Sequence, residues 1–184
     1  MDPSDQTIRL YHGSQLIKRS EGWQAITAEV PARLMKLRVT SDARRPAGWK
    51  SSTSSHSEYE FWTKYISRPG MLHDPILPMV QVNFHVDTDL AGDTRAGRRD
   101  TIGFDAWTMP EAALEGTVTG GRLQVSYDDG KSWQAVALTG KTGHWTGHLS
   151  YPDNPSRFVS LRARAWDSKG NTVTQEITRA YGLK

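Results

Sequence analysis

The clearest short pattern with a chemical role lies in residues 126–133 (SYDDGKSW). Ser126, Asp128, Gly130 and Trp133 follow the Asp-box spacing S-x-D-x-G-x-x-W. In such a turn the Asp side chain caps backbone N–H groups, the glycine takes a positive φ, and the tryptophan packs beneath. Asp-boxes also occur in glycosidases, but they recur there on the blades of a propeller, which needs about four to eight blades. Because the pattern occurs once here, it predicts a hairpin-stabilising turn rather than a glycan-binding site.

Two tryptophans are candidates for direct ligand binding. Trp62 follows Phe61 and Trp107 follows Ala106, so both fall on the polar face of their predicted strands. An exposed aromatic ring can stack on a sugar ring or on a peptide side chain. The alternative is that Trp62 packs at a junction between two modules and that Trp107 covers a sheet edge. The tryptophans that we assign to cores are Trp23, Trp133 and Trp145.

Metal and cofactor chemistry has little support in the sequence. The chain has no cysteine, which excludes disulfides and thiolate metal sites. Residues 167–171 (DSKGN) predict a capped turn, since calcium takes about six to eight oxygen ligands and only Asp128, Asp129 and Asp153 are further candidates nearby. On a strand, His144 and His148 would lie ~13 Å apart, which disfavours a shared zinc ion. We therefore expect no metal, no cofactor and two solvent-facing histidines.

The elements that position these groups are predicted to be strands. Apolar and polar residues alternate through most of the second half, for example in residues 80–86 and 159–165. The alternation recurs in about seven short segments, roughly ten residues apart, with turn residues between them. Helix-like periodicity is confined to residues 110–115. The pattern predicts an all-β fold whose second half is an immunoglobulin-like or fibronectin-like sandwich.

The first half shows weaker alternation, and a break separates it from the second. Residues 67–78 (SRPGMLHDPILP) contain prolines that interrupt strand ladders. We therefore predict two small β-sandwich modules, an N-terminal β-rich module at residues 1–70 and an immunoglobulin-like sandwich at residues 76–184. The strand near Ile8 is predicted to be an unpaired edge that an upstream segment of chain would complete.

Charge and hydropathy exclude several function classes. The 23 basic and 20 acidic residues are spread along the chain and leave a net charge of +3. Nucleic-acid binding usually clusters basic residues on one face, so we expect none, and we interpret residues 95–99 (RAGRR) as a solvated loop. No apolar run approaches the ~20 residues that span a membrane, so no membrane contact is expected. The first residues lack a signal peptide, so an export signal would lie upstream on a longer parent.

Three segments carry a family resemblance. Residues 159–184 (VSLRARAWDSKGNTVTQEITRAYGLK), 123–133 (LQVSYDDGKSW) and 75–86 (PILPMVQVNFHV) resemble the C-terminal tails of secreted subtilisin-like serine proteases of high-GC Gram-positive bacteria. The first half matches that family more loosely. The resemblance implies an extracellular location and an upstream protease domain as partner. The HGT-like and GTSM-like motifs that carry the catalytic His and Ser of the family are missing, so it also implies that this chain is not an enzyme.

The expected function is that of a non-catalytic accessory domain. It would stabilise a parent peptidase or position it on an extracellular protein or a cell-surface substrate. One alternative is a carbohydrate-binding module that uses exposed tryptophans, which a linear array of Trp and Tyr on one sheet face would support. Another is a structural spacer, or a truncated gene remnant, without a ligand.

Overall fold

The computed structural model describes residues 5–22, 26, 28–64, 76–95, 100–151 and 157–184. All regular elements in this part of the chain are strands, as predicted. They are β1 (Gln6–His12), β2 (Gln15–Glu21), β3 (Met35–Arg44), β4 (Ser54–Thr63), β5 (Val80–Val86), β6 (Asp93–Thr94), β7 (Asp100–Thr108), β8 (Val118–Ser126), β9 (Gln134–Val136), β10 (Leu138–Lys141), β11 (His144–Leu149), β12 (Phe158–Asp167) and β13 (Thr172–Leu183). None of the described residues forms a helix with the length and apolar character needed to span a membrane.

The strands of the second half form an immunoglobulin-like sandwich. The smaller sheet has the order β10-β11-β7-β5, and the facing part of the larger sheet has the order β13-β12-β8-β9. In immunoglobulin nomenclature these are the D-E-B-A and G-F-C-C′ sheets. After β5 the chain leaves the smaller sheet, and the short strand β6 pairs in parallel with the end of β13. The predicted all-β sandwich with an immunoglobulin-like second half is therefore confirmed.

Period-two alternation explains why these segments are strands. In β12, Val159, Leu161, Ala163 and Ala165 are all buried, whereas the side chains between them point to the other face. Successive side chains of a strand point to opposite faces, so one sequence supplies a core face and a solvent face. The outward residues of β12 belong to the exposed surface of the larger sheet.

The first half of the chain extends the larger sheet. Strand β4 pairs antiparallel with β13, from Glu60 opposite Thr172 to Ser54 opposite Thr178. Strands β3, β1 and β2 follow in that order, which gives a sheet of nine strands with β6 included. The strands on both sides of residues 67–78 thus share one sheet, while most of that segment lies outside the described residues. The division into modules at residues 1–70 and 76–184 stays a prediction.

The predicted edge near Ile8 was wrong. Strand β1 is paired on both sides, with Ile8 opposite Ser20 of β2 and opposite Ser41 of β3. The edge strand is β2, because the turn after His12 folds the chain back on the outer side of β1. The reason for the error is that the β2 sequence (QLIKRSE) has little apolar–polar alternation, so it gives no clear signal for a seven-residue strand beside β1.

Two apolar clusters lie beneath the larger sheet. The main one fills the sandwich and includes Phe104, Leu123 and Leu161. The second contains Leu10, Met35, Leu37 and Phe61 and lies under the extension. Tyr59 packs against both clusters, so the two cores are continuous through β4.

Of the two described tryptophans that the sequence assigned to cores, Trp145 packs against one and Trp133 does not. Trp145 stacks on Phe104 with ring centroids 5.3 Å apart. Trp23 lies outside the described residues. Trp133 belongs to neither cluster, and its position on the other face of the sheet is described below.

Candidate functional site

The outward-facing surface of the larger sheet carries most of the aromatic and charged side chains with potential for binding. We call this surface the outer face. Strand register places its side chains in rows across the sheet. One row runs through Gln124, Arg162, Glu176, His56 and Asp42, and the next through Arg122, Arg164, Thr174, Glu58 and Thr40. Trp166 and Thr172 begin the third row, which continues through Glu60, Arg38 and Tyr11.

Most charges on the outer face are neutralised by a neighbour. Lys36 Nζ lies 2.9 Å from Glu60 Oε2, and Arg38 Nη1 lies 3.0 Å from Glu58 Oε2. Arg162 donates to Glu176 Oε2 through both Nε and Nη2. Such exposed pairs contribute little to stability, typically below about 1 kcal/mol each. Their main effect here is to leave the paired part of the face without net charge.

At the edge of this network, Asp42 bonds to both Arg9 and His56. Partial burial raises the pKa of its carboxyl, but the hydrogen bonds and charges of His56 and Arg9 outweigh that effect and lower it overall. The carboxylate form is therefore favoured by its two partners.

Arg122 and Arg164 differ from the paired cations of the outer face. They lie directly opposite each other on β8 and β12, and both are exposed. Neither guanidinium has an acidic partner within the described ranges. Like charges at directly opposed positions destabilise a sheet. An open depression of about 790 Å³ is lined by both arginines together with Gln124, Arg162 and Thr174.

Two indole rings flank this arginine pair. Trp166 lies flat on the backbone of Gly120, where a Cβ atom would come within 2.3 Å of the ring, and the Arg122 guanidinium is 5.8 Å from its centroid. On the other side, the guanidinium of Arg162 lies 4.0 Å above the ring of Trp133. We call Trp133, Arg162, Arg122, Arg164 and Trp166 the Trp–Arg strip. Arg162 and Trp166 are four residues apart on one strand, which corresponds to ~13 Å.

The predicted Asp-box turn lies at one end of this strip. Ser126 Oγ donates to Asp128 Oδ1 and accepts from Gly130 N, at 2.7 and 2.8 Å. Asp128 also accepts from the backbone N–H and the hydroxyl of Ser132. These bonds, led by the Ser132 hydroxyl, lower the pKa of Asp128 to about 2. Gly130 has a φ of 86°, which a side chain would disfavour.

The turn is fastened to β13 rather than open to a ligand. Arg179 donates to both carboxylate oxygens of the neighbouring Asp129, at 2.9 and 2.8 Å. Trp133 follows the turn and is half-buried under Arg162. The turn thus fixes the position of one indole ring of the strip.

The structure places Trp62 and Trp107 on opposite sides of the molecule. Trp62 is 37% exposed and lies on the outer face, two residues beyond Glu60 of β4. Trp107 is 44% exposed and points away from the core of the smaller sheet, since its neighbour Ala106 is buried there. The two rings therefore do not form a common platform. Trp62 shares its face with Trp166 instead.

A histidine–carboxylate cluster on the smaller sheet was not predicted from the sequence. Asp105 binds His85 through Oδ2 at 2.7 Å and His144 through Oδ1 at 3.1 Å. Burial raises the pKa of Asp105, but the hydrogen bonds from His144 and His85 outweigh it, and the pKa lies below its ordinary value. The cluster joins three strands, so no spacing within one segment could reveal it.

The turn at residues 167–171 uses its carboxylate internally. Asp167 is buried and accepts hydrogen bonds from the backbone N–H groups of Gly116, Lys169 and Asn171 and from the Asn171 side chain. Asp153, which the sequence suggested as a further calcium ligand, lies outside the described residues. In the part of the chain that the structure describes, no group of His, Cys, Asp or Glu side chains is arranged to hold a metal ion.

Trp166, Arg122 and Arg164 were not predicted from the sequence as binding residues. Strand parity carries the signal, because Ala163 and Ala165 were assigned to the inner face and Trp166 must then point outward.

A comparison of the chain with protein-family models finds no match, and a search of curated proteins finds none either.

Proposed function

We propose that this chain is a non-catalytic accessory module of an extracellular subtilisin-like peptidase, and that it positions the parent enzyme on a protein or cell-surface substrate. The resemblance of residues 159–184, 123–133 and 75–86 to the tails of such peptidases supports this origin. The same resemblance supports the extracellular location and the upstream protease domain as partner.

The observation that carries the binding role is the Trp–Arg strip. A partly exposed indole ring beside two exposed arginines, which have no acidic partner in the described ranges, offers both stacking and hydrogen bonding to a polymer. A spacer without a ligand would gain nothing from keeping two like charges opposed on one face.

A stand-alone carbohydrate-binding module is the second candidate. It is favoured by a specific feature of the outer face, where Tyr11, Trp62, Trp166 and Trp133 share one side of one sheet. Arg38 lies 4.2 Å above the Tyr11 ring, as Arg162 does above Trp133. This array replaces the pair of Trp62 and Trp107 as the aromatic surface of interest.

A sedimentation assay against insoluble proteins, cell-wall material and polysaccharides tests the proposal. We expect selective binding that Trp166→Ala abolishes and that Trp107→Ala leaves unchanged. Trp107 is the control, because its ring is exposed to solvent but lies on the other sheet. Failure to bind any of these materials would contradict the binding role. Casein cleavage by the purified chain, run in parallel, would contradict the non-catalytic assignment.

A further inference from the structure

We propose that the Trp–Arg strip binds an acidic polysaccharide, with the carboxylates of uronic-acid units held by Arg122 and Arg164. This inference rests on the proposed function and names the chemical class of its ligand. On the outer face, Arg122 and Arg164 leave positive charge without an acidic partner among the described residues.

Several cations of the outer face already have an acidic partner, whereas Arg122 and Arg164 do not have one among the described residues. Arg162 is held by Glu176, Arg38 by Glu58 and Lys36 by Glu60. Arg122 and Arg164 are opposed across two strands and have no such partner among the described residues. An external anion placed between them would relieve their repulsion and complete their hydrogen bonding. The planar guanidinium is the side chain best suited to bidentate binding of a carboxylate.

The indole rings of Trp166 and Trp133 lie on either side of the arginine pair. Trp166 can lie against the sheet because Gly120 has no side chain, and it remains partly exposed beside the arginine pair, with the Arg122 guanidinium 5.8 Å from the ring centroid. Trp133 flanks the pair on the other side, but the Arg162 guanidinium covers its ring, so the ring available for stacking is that of Trp166. Aromatic faces bind the apolar faces of sugar rings, whereas arginines bind the charged substituents. A polymer of sugar rings with carboxylate substituents matches both features.

The acidic side chains of the outer face favour a polysaccharide with a few carboxylates over a nucleic acid. The outer face also carries Glu58, Glu60, Glu176 and Asp42, each paired with a neighbouring cation, so the positive surplus next to the two indole rings comes from the arginine pair. A nucleic acid requires a long basic track, because it presents a phosphate at every nucleotide. A narrow cationic position between two rings fits a few carboxylates better than a continuous phosphate backbone.

The probe is soluble polygalacturonate, compared with the same polymer after chemical reduction of its carboxylates to alcohols. Binding is measured by tryptophan fluorescence and by affinity electrophoresis at low and high salt. We expect binding to the acidic polymer alone, and weaker binding at high salt because exposed charges are screened over ~10 Å at 0.1 M. Arg122→Gln and Arg164→Gln should each weaken binding about tenfold.

Arg45→Gln is the matched control variant. Arg45 also stacks on an exposed tryptophan, with its guanidinium 4.2 Å from the Trp49 ring, but it lies outside the strip. Its loss removes the same charge from the protein and should leave binding unchanged. An equal loss of affinity in Arg45→Gln would show that only net charge matters and would overturn the proposal.

The remaining outcomes distinguish the carboxylate assignment from the proposed binding role. Equal binding of the acidic and reduced polymers, lost in Trp166→Ala, would refute the carboxylate assignment and leave the binding module intact. Tighter binding of single-stranded DNA or of a sulfated polymer would also refute it. Binding to an insoluble protein but to no polysaccharide would do the same, whereas no binding to any material would refute both proposals.

Discussion

The buried aspartate at the β12–β13 turn allows a demanding test of how this fold is held together. In Asp167→Ala, the backbone N–H groups of Gly116, Lys169 and Asn171 lose their acceptor. Each buried donor left unsatisfied costs about 1–3 kcal/mol. Water can reach part of the loop, so we expect a loss of about 3–5 kcal/mol in the free energy of unfolding.

Urea unfolding followed by tryptophan fluorescence measures this loss. Asp167→Asn keeps the size of the side chain but replaces one acceptor oxygen by an NH₂ group, and it should lose roughly half as much. It also keeps the test informative if the alanine variant does not fold. Asp128→Ala is the comparison variant, since its carboxylate makes a similar local network at the surface and should cost clearly less. A loss below about 1 kcal/mol in Asp167→Ala would refute the reasoning.

Two further predictions concern titration and backbone geometry. Burial, reinforced by the charge of Asp100, raises the pKa of Tyr127 from 10.0 to about 12, so stability that is present below pH 10 should be lost as the pH rises toward 12. Urea unfolding between pH 9 and 12 should show a weaker decline in Tyr127→Phe, and an unchanged decline would count against this assignment. Gly143→Ala should cost about 3 kcal/mol, because φ is +80° and a Cβ would lie 2.2 Å from the Ala106 carbonyl oxygen. Gly13→Ala, with φ +58° and open space around it, should cost about 1 kcal/mol, and equal losses in thermal unfolding would contradict the clash.

The second half of the fold was predictable because its strands alternate strictly. In β12 and β5, apolar residues at every second position define an inner face without ambiguity. Trp133 shows where this signal fails. Residues 133–138 (WQAVAL) have apolar side chains at both parities. The sequence predicted that Trp133 lies in a core, and on a strand this would also turn Ala135 and Ala137 inward. Val136 and Leu138 pack against the core instead, so the assignment was displaced by one residue and every side chain changed face.

The candidate site was harder to predict because it depends on pairing between distant strands. That Trp166 points outward follows from parity alone. That Arg164 lies opposite Arg122, however, depends on the register of β8 against β12, which no local pattern determines. That Arg122 and Arg164 have no acidic partner in the described part of the chain likewise depends on how Arg162 and Arg38 pair with Glu176 and Glu58. Such relations are properties of the sheet and not of any single segment.

The pairing of β4 with β13 has a consequence for how the chain reaches this structure. The backbone N–H of Trp62 donates to Oδ1 of Asn171, 109 residues further along the chain, and Gln175 donates to Ser57 across 118 residues. Contacts of such long range slow folding, because the entropy of closing the loop opposes them before they form. During synthesis β4 emerges from the ribosome long before β13, and its unpaired edge is then open to association with other chains. The Lys, Arg and Glu side chains that alternate along β3 and β4 would disfavour such association until β13 arrives.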